Sequence, residues 1–176
     1  MDIEYRNLAI AELEKLRHID RSEVIGGVYH FRSGNLVLEK EHYDMKGFPP
    51  GELEKIIERQ KILISEGGTL IGAFDGPTLV GVTSMENKFR GHKKKYVKMD
   101  ILFVSREYRG EGIARSLVKS IAGLAKQRGA DALYISATPS KHTVGFYMSC
   151  GAKLAEELDA ELYEMEPEDV HLELPL

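Results

Sequence analysis

Six consecutive residues, Arg109-Gly110-Glu111-Gly112-Ile113-Ala114, have the make-up of an anion cradle. Their two glycines let the backbone turn sharply and approach a ligand with no Cβ in the way. An amphipathic run follows, so the turn delivers the unpaired N–H groups and the positive dipole end of a helix N-terminus. The partner such a terminus takes is an anion, most simply a phosphate. An ordinary strand-to-helix turn that binds nothing is the plainer alternative, and the arginine and paired glycines weigh against it. A dinucleotide fingerprint would need Gly or Ala where Arg115 stands, and a Walker loop would need Gly-Lys-Ser/Thr; neither is present.

Two carboxylates lie close to this stretch in the sequence. Asp100 interrupts the apolar run Val97 to Val104 and, by strict alternation, shares a face with Leu102 and Val104. An Asp in a buried strand is costly unless paired or functional, so it is either ion-paired to an Arg or Lys or a working base. Glu86, at the end of the preceding strand, is the second carboxylate; its plainer reading is an exposed strand-end charge. Cys150 has no histidine at a diagnostic spacing and reads as inert. His30, His42 and Asp44 lack any metal-ligand spacing, so no metal is expected. Glu39, Glu41 and Asp44, with Tyr29 and Tyr43, could hold a cationic amine if their segment edges a cleft.

These residues need a scaffold, and the composition provides for one. At 176 residues and 43% apolar, the chain can bury a core as a single domain over residues 1–176. A formal charge of -4 gives no general attraction to nucleic acid or anionic membrane. The basic run Lys88 to Lys98 has no alternating aromatics and reads as a solvated loop. One cysteine, a charged N-terminus and no long apolar run lead to the expectation of a cytoplasmic protein.

Ile10, Leu13, Leu16 and Ile19 predict a first amphipathic helix after a short strand at Ile3–Tyr5. Val24 to Met45 reads as a β-hairpin turning at Arg32-Ser33-Gly34-Asn35. Leu53 to Ile64 predicts a second helix, opened near Pro49-Pro50 and stopped by Gly67-Gly68. A hairpin follows at TLIGAF and LVGVTSM, then the strand and helix around the glycine turn, a strand at 132–138 and a short helix through Ser149. The last segment, Glu161 to Leu174, reads as one or two edge strands. This order predicts an α/β or α+β domain with a mixed sheet.

The glycine turn, with Leu102-Phe103-Val104-Ser105-Arg106-Glu107-Tyr108 before it, resembles the acyl-CoA loop of the GNAT superfamily of N-acetyltransferases, whose pattern is Gln/Arg-x-x-Gly-x-Gly/Ala. Phe146-Tyr147-Met148-Ser149-Cys150-Gly151-Ala152 is similar to that family's FYxxxGF segment, with Ala152 in place of the usual aromatic. The resemblance is good over about residues 69 to 152 and holds only in outline before that. It implies a mostly antiparallel central sheet flanked by helices, the GNAT-like acyl-CoA N-acyltransferase fold, with 24–45 as an inserted hairpin.

The resemblance further implies acetyl-CoA (or CoA) as co-substrate, held by Arg109, Gly110, Gly112, Ile113, Ala114 and Arg115. The pantetheine arm would lie along Leu102, Phe103 and Val104, and Ser140 would stand where the family usually has Asn. Tyr147 is implied as general acid toward the CoA sulfur, and Asp100 or Glu86 as general base, since an amine of pKa near ~10 arrives protonated. The acceptor would be a small-molecule or peptide primary amine, attacked directly without an acyl-enzyme, and the resemblance leaves room for a homodimer. The alternative is an acyl-CoA-binding sensor or interaction domain without turnover.

Overall fold

The computed structural model describes residues 1–176. A seven-stranded sheet runs through it in the order β1 (Ile3–Asn7), β6 (Thr69–Asp75), β7 (Thr78–Met85), β8 (Tyr96–Val104), β9 (Ala132–Ala137), β11 (Val170–Pro175) and β10 (Lys153–Leu154). Every neighbouring pair is antiparallel except β8 and β9. The mixed, mostly antiparallel sheet expected from the sequence is therefore present.

Two layers cover it. On one face α2 (Ile113–Gln127) and α3 (Lys141–Ser149) close the largest core, 21 buried residues that include Ile113, Leu117, Ile121, Val144 and Tyr147. On the other, a 3₁₀ helix (Ile10–His18) and α1 (Glu52–Ser65) bury Leu13, Leu16, Ile56, Ile57 and Leu63 against Phe74 and Ile101. A short α4 (Ala160–Met165) packs Leu162 on Tyr96 and Tyr134 of the same face. No helix is long and apolar enough to cross a membrane.

Three segments depart from expectation, each for a physical reason. The first helix is 3₁₀, and its apolar residues fall three apart throughout, which is the repeat of a three-residue turn. The 24–45 segment divides into two ladders: β2 (Glu23–Ile25) pairs with β5 (Tyr43–Met45), and β3 (Val28–Arg32) pairs with β4 (Asn35–Glu39). Gly26-Gly27 separates β2 from β3. The C-terminal β11 is an inner strand, not an edge. Its polar face hid this, because Glu173, fully buried, accepts hydrogen bonds from Lys94 Nζ (3.0 Å), Tyr96 Oη (3.2 Å) and the Glu156 amide (3.0 Å).

Gly81 sets how closely α2 approaches the sheet. A Cβ there would lie 3.0 Å from Ile113 and 3.2 Å from Leu117, at the start of α2. Gly81→Val should therefore push the α2 N-terminus outward and cost about 1–3 kcal/mol in denaturant unfolding, with Gly81→Ala costing less.

Candidate active site

The glycine turn is built from below. The Tyr108 hydroxyl donates to Asp75 at 2.8 Å and fixes the lead-in to the β6–β7 turn. Gly110 (φ 85°) and Gly112 (φ 80°) take the left-handed conformation, and neither has an atom within 4 Å of where a Cβ would stand. The first bond of α2 is Ser116 N–H to Gly112 O, so the amides of Ile113, Ala114 and Arg115 sit at an open N-terminus. Unpaired amides of this kind are suited to an anion.

Directly beneath it the sheet opens. β8 and β9 pair only over Tyr96–Lys98 and Ala132–Tyr134, although β8 continues to Val104 and β9 to Ala137. From Met99 onward β8 has no strand on that edge, so Leu102 and Val104, which alternate with the β7-bonded Phe103 and Ser105, turn their backbone groups to the open side. Residues 20–29 bridge the mouth of the gap. Asp20 accepts from the Arg106 amide (2.9 Å), Gly27 O accepts from the Lys141 amide (2.9 Å), and the Tyr29 amide donates to Pro139 O (2.7 Å). A cleft of about 610 Å³ lies between this strap and the first turns of α3, lined by Glu23, Val24, Ser140, Lys141, His142 and Phe146.

The side chains of Arg109, Arg115 and Ser140 are engaged by partners within the protein. Arg109 donates to Val104 O (3.0 Å) and Ser22 O (3.0 Å), clamping the glycine turn to the strap. Arg115 donates to Ser149 Oγ (3.0 Å), joining α2 to the end of α3. Ser140 caps α3 by accepting from the Thr143 amide at 3.2 Å.

Tyr147 projects from α3 into the core of the α2 face and is 7% exposed. Burial, with the Cys150 sulfur beside it, pushes the phenol above its ordinary value, so it carries its proton throughout the neutral range. Its hydroxyl makes no hydrogen bond within the chain.

Asp100 is corrected. β8 holds one extra residue between Met99 and Leu102 relative to Met85 and Thr83 on β7. This bulge reverses the alternation, sending Asp100 to the α1 face while Leu102 and Val104 pack on the α2 face. There Asp100 accepts from Lys98 Nζ (2.7 Å), Arg59 Nε (2.8 Å) and Gln60 Nε2 (2.7 Å). Burial alone would push its carboxyl up, but Lys98 and Arg59 outweigh it and hold it below the ordinary value. A carboxylate so held is a poor proton acceptor.

Glu86 is likewise committed, both oxygens meeting Arg90 at 2.8 and 3.0 Å. Arg90, buried, also contacts Asp159 (3.2 Å) and Glu161 (3.1 Å). The basic run is thus partly internal, since Lys94 and Lys98 are also paired and only its remaining lysines face solvent. Along residues 30–46 Arg32 takes Glu39, His30 takes Glu41 and Lys46 takes Asp44. These carboxylates are occupied by their own neighbours.

A second cleft, about 280 Å³, lies on the α1 face over β8, with Arg59, Glu86, Arg90, Lys98, Asp100 and Glu161 in its wall. The gap therefore has an apolar side under α2 and α3 and a charged side under α1 and α4. Sequence reading missed the strap and Asp169, a half-buried carboxylate before β11. The acidic run Glu164, Glu166, Glu168 and Asp169 was the available signal, because like charges crowded together perturb one another.

The family's sequence model, described as acetyltransferase (GNAT) family, matches residues 36–152. The chain belongs to that family. Among solved structures it is similar to nourseothricin acetyltransferase, at 20% identity over 99% of both chains and a TM-score of 0.71. A Bacillus anthracis protein named as a streptothricin acetyltransferase, in complex with acetyl coenzyme A, matches at 14% identity over 100% of this chain and 99% of that one, TM-score 0.73. PaiA N-acetyltransferase from Thermoplasma acidophilum, in complex with coenzyme A, matches at 19% identity over 100% of both chains, TM-score 0.63. At these identities the likenesses speak for the fold. No curated protein matches the sequence.

Asp100→Ala should leave the half-buried Lys98 without its counter-charge and cost about 3 kcal/mol at pH 7. Asp100 has a lowered folded value, so the unfolded chain takes up its proton first as pH falls. Its contribution is present at neutral pH and lost on acidification through that value. The gap between wild type and variant in denaturant unfolding should accordingly narrow toward pH 3.

Proposed function

We propose that the protein transfers the acetyl group of acetyl-CoA to a primary amine of a small molecule or peptide by direct attack. The observation that carries the reading is the unpaired edge of β8 beside β9, with the open N-terminus of α2 at its head. One site takes an extended arm and the other takes its phosphates. Acetyl-CoA supplies the thioester; the chain supplies the rest.

The amides from Gly110 to Arg115 hold the pyrophosphate, and Leu102 to Val104 hold the pantetheine arm as an added strand. A backbone N–H of that edge stabilises the charge that develops on the thioester oxygen. Tyr147, protonated and free of internal partners, donates to the departing sulfur. Asp100 and Glu86 act here as positioning groups: the first ties α1 to the β8 bulge, the second ties the β7–β8 loop to Arg90. The cleft on the charged side admits the amine from across the gap, so no acyl-enzyme is required.

Calorimetric titration with acetyl-CoA, CoA and dephospho-CoA tests the cofactor. Micromolar binding of the first two is expected. Gly112→Ala forces an alanine into left-handed backbone, costing about 1–2 kcal/mol locally, and should weaken acetyl-CoA binding roughly tenfold. Tyr147→Phe should keep that affinity and lower kcat about 100-fold. Binding without thiol release across an amine panel would favour the acyl-CoA sensor instead.

A further inference from the structure

With Asp100 and Glu86 both saturated, the acetyl-transfer reading lacks a group to take the ammonium proton. We propose that Asp169 is this group, the proton-accepting carboxylate on the charged side of the β8–β9 gap. The inference rests on the reading of amine acetyl transfer given above.

Three placements support it. Val170 pairs with Ala137, so Asp169 lies beside the end of β9, where β9 has parted from β8. Along β11, Val170, Leu172 and Leu174 enter the α2-face core while His171 and Glu173 take the other face. Asp169 falls in phase with the latter pair, and the Lys98 charge reaches it from β8. Finally, the Asp169 carboxylate has neither an ion pair nor a hydrogen bond, whereas Asp100 and Glu86 are both held by cationic partners. Nearby on the same face, Ser136, which pairs with His171, has a buried hydroxyl with no partner.

The turn that carries Asp169 is held firmly. His171 Nε2 lies 2.9 Å from Glu166 O, a carbonyl that can only accept, so this nitrogen carries hydrogen. His171 Nδ1 meets the Tyr134 hydroxyl at 2.8 Å, and the Asp169 amide donates to Glu166 O at 3.2 Å. The charged groups around the carboxylate are Glu166 from its own turn and Lys98 from β8, the latter bound to Asp100, with Arg59 of α1 behind that pair. Burial first, then Glu166, pushes the carboxyl up to about 6 against the opposing pull of Lys98. A base with that value is ionised at neutral pH and more basic than an ordinary carboxylate.

The step balances. The ammonium gives one proton to Asp169, which later returns it to solvent. The freed nitrogen pair forms the C–N bond at the thioester carbon. When the C–S bond breaks, the sulfur takes the Tyr147 proton, and the second N–H proton lost from nitrogen restores Tyr147. The products are amide and free thiol.

The test compares full-length wild type with Asp169→Asn and Asp169→Glu. Acetyl-CoA affinity by calorimetry should be equal in all three. Thiol release from acetyl-CoA is then followed against pH with ethanolamine, spermidine and lysine as acceptors. The wild-type kcat/KM should fall on the acid side near pH 6, in line with the raised carboxyl. Asp169→Asn should lose about 100-fold in kcat and lose that acid limb, while Asp169→Glu recovers part of the rate. An Asn variant within about threefold of wild type, its acid limb intact, overturns the assignment.

If none of the three amines is acetylated, the carboxyl carbon resonance of Asp169 in CoA-loaded protein decides. It should shift on adding ethanolammonium, and no response overturns the proposal. Stability separates a structural role. A raised folded value means that stability falls as pH rises from about 4 toward 6, so Asn should be at least as stable as Asp at pH 7. A lower thermal midpoint for Asn would mark Asp169 as structural and sink the idea. A wild type that binds no acetyl-CoA fails the transfer reading as well, and is distinguished by that first titration.

Discussion

Two parallel strands that pair for three residues and then separate are the constraint on which the rest depends. Backbone N–H and C=O groups withdrawn from water need partners, and a sheet interior normally supplies them. Here the edge of β8 past Lys98 is denied its neighbour, so the fold must prevent the strands from zipping shut. It does so from several directions. The bulge at Asp100 breaks the regular ladder of β8 where its pairing with β9 has just ended, and bulges add local twist. The helices that follow each strand, α2 and α3, pack into one core and are joined by Arg115 and Ser149. The strap, tied to the end of β8 and to the start of α3, fixes the width of the opening.

The opening is also asymmetric in polarity. Under α2 and α3 it is lined by the main apolar core and by a phenol that burial keeps protonated. Under α1 and α4 it is lined by interlocked charges. Arg90 gathers Glu86, Asp159 and Glu161, which pins α4 to the β7–β8 loop, and Lys98 joins Asp100 to Arg59 and Gln60 of α1. Buried pairs of this kind contribute little net stability, because desolvation consumes most of the Coulombic gain. What they do is fix register. Losing one partner would strand the other, so each pair holds its elements in a single arrangement.

Much of this was legible in the sequence. The glycine turn, the strand and helix around it and the α3 segment follow from local rules: left-handed glycine, apolar periodicity and helix capping act within a few residues. Where the structure departs from local rules, the cause is in most cases a non-local partner. Asp100 obeys alternation until the bulge, and the bulge exists only relative to β7. Glu173 looked like an edge residue because its donors Lys94 and Tyr96 are some eighty positions away in sequence. The guanidinium of Arg109 looked like an anion ligand, yet carbonyls of the strap take it. Ile10 to Ile19 is the local exception: a strict three-residue spacing fits one face of an α-helix and a 3₁₀ turn alike, and the chain takes the latter.

The polarity difference bears on how two proton transfers can coexist in one narrow site. A phenol that must donate is best kept in apolar surroundings, where its anion is disfavoured and its proton retained. A group that must accept needs partial burial to raise its basicity, and a nearby cation to keep it from remaining protonated at neutral pH. One uniform environment would serve one of these and spoil the other. Opening a sheet between two strands solves the conflict geometrically, because the two faces of a strand point in opposite directions with every residue. The bulge at Asp100 matters for this division: after Lys98 and Asp100 on the charged face it shifts the phase of β8, so that Leu102 and Val104 pack on the apolar one.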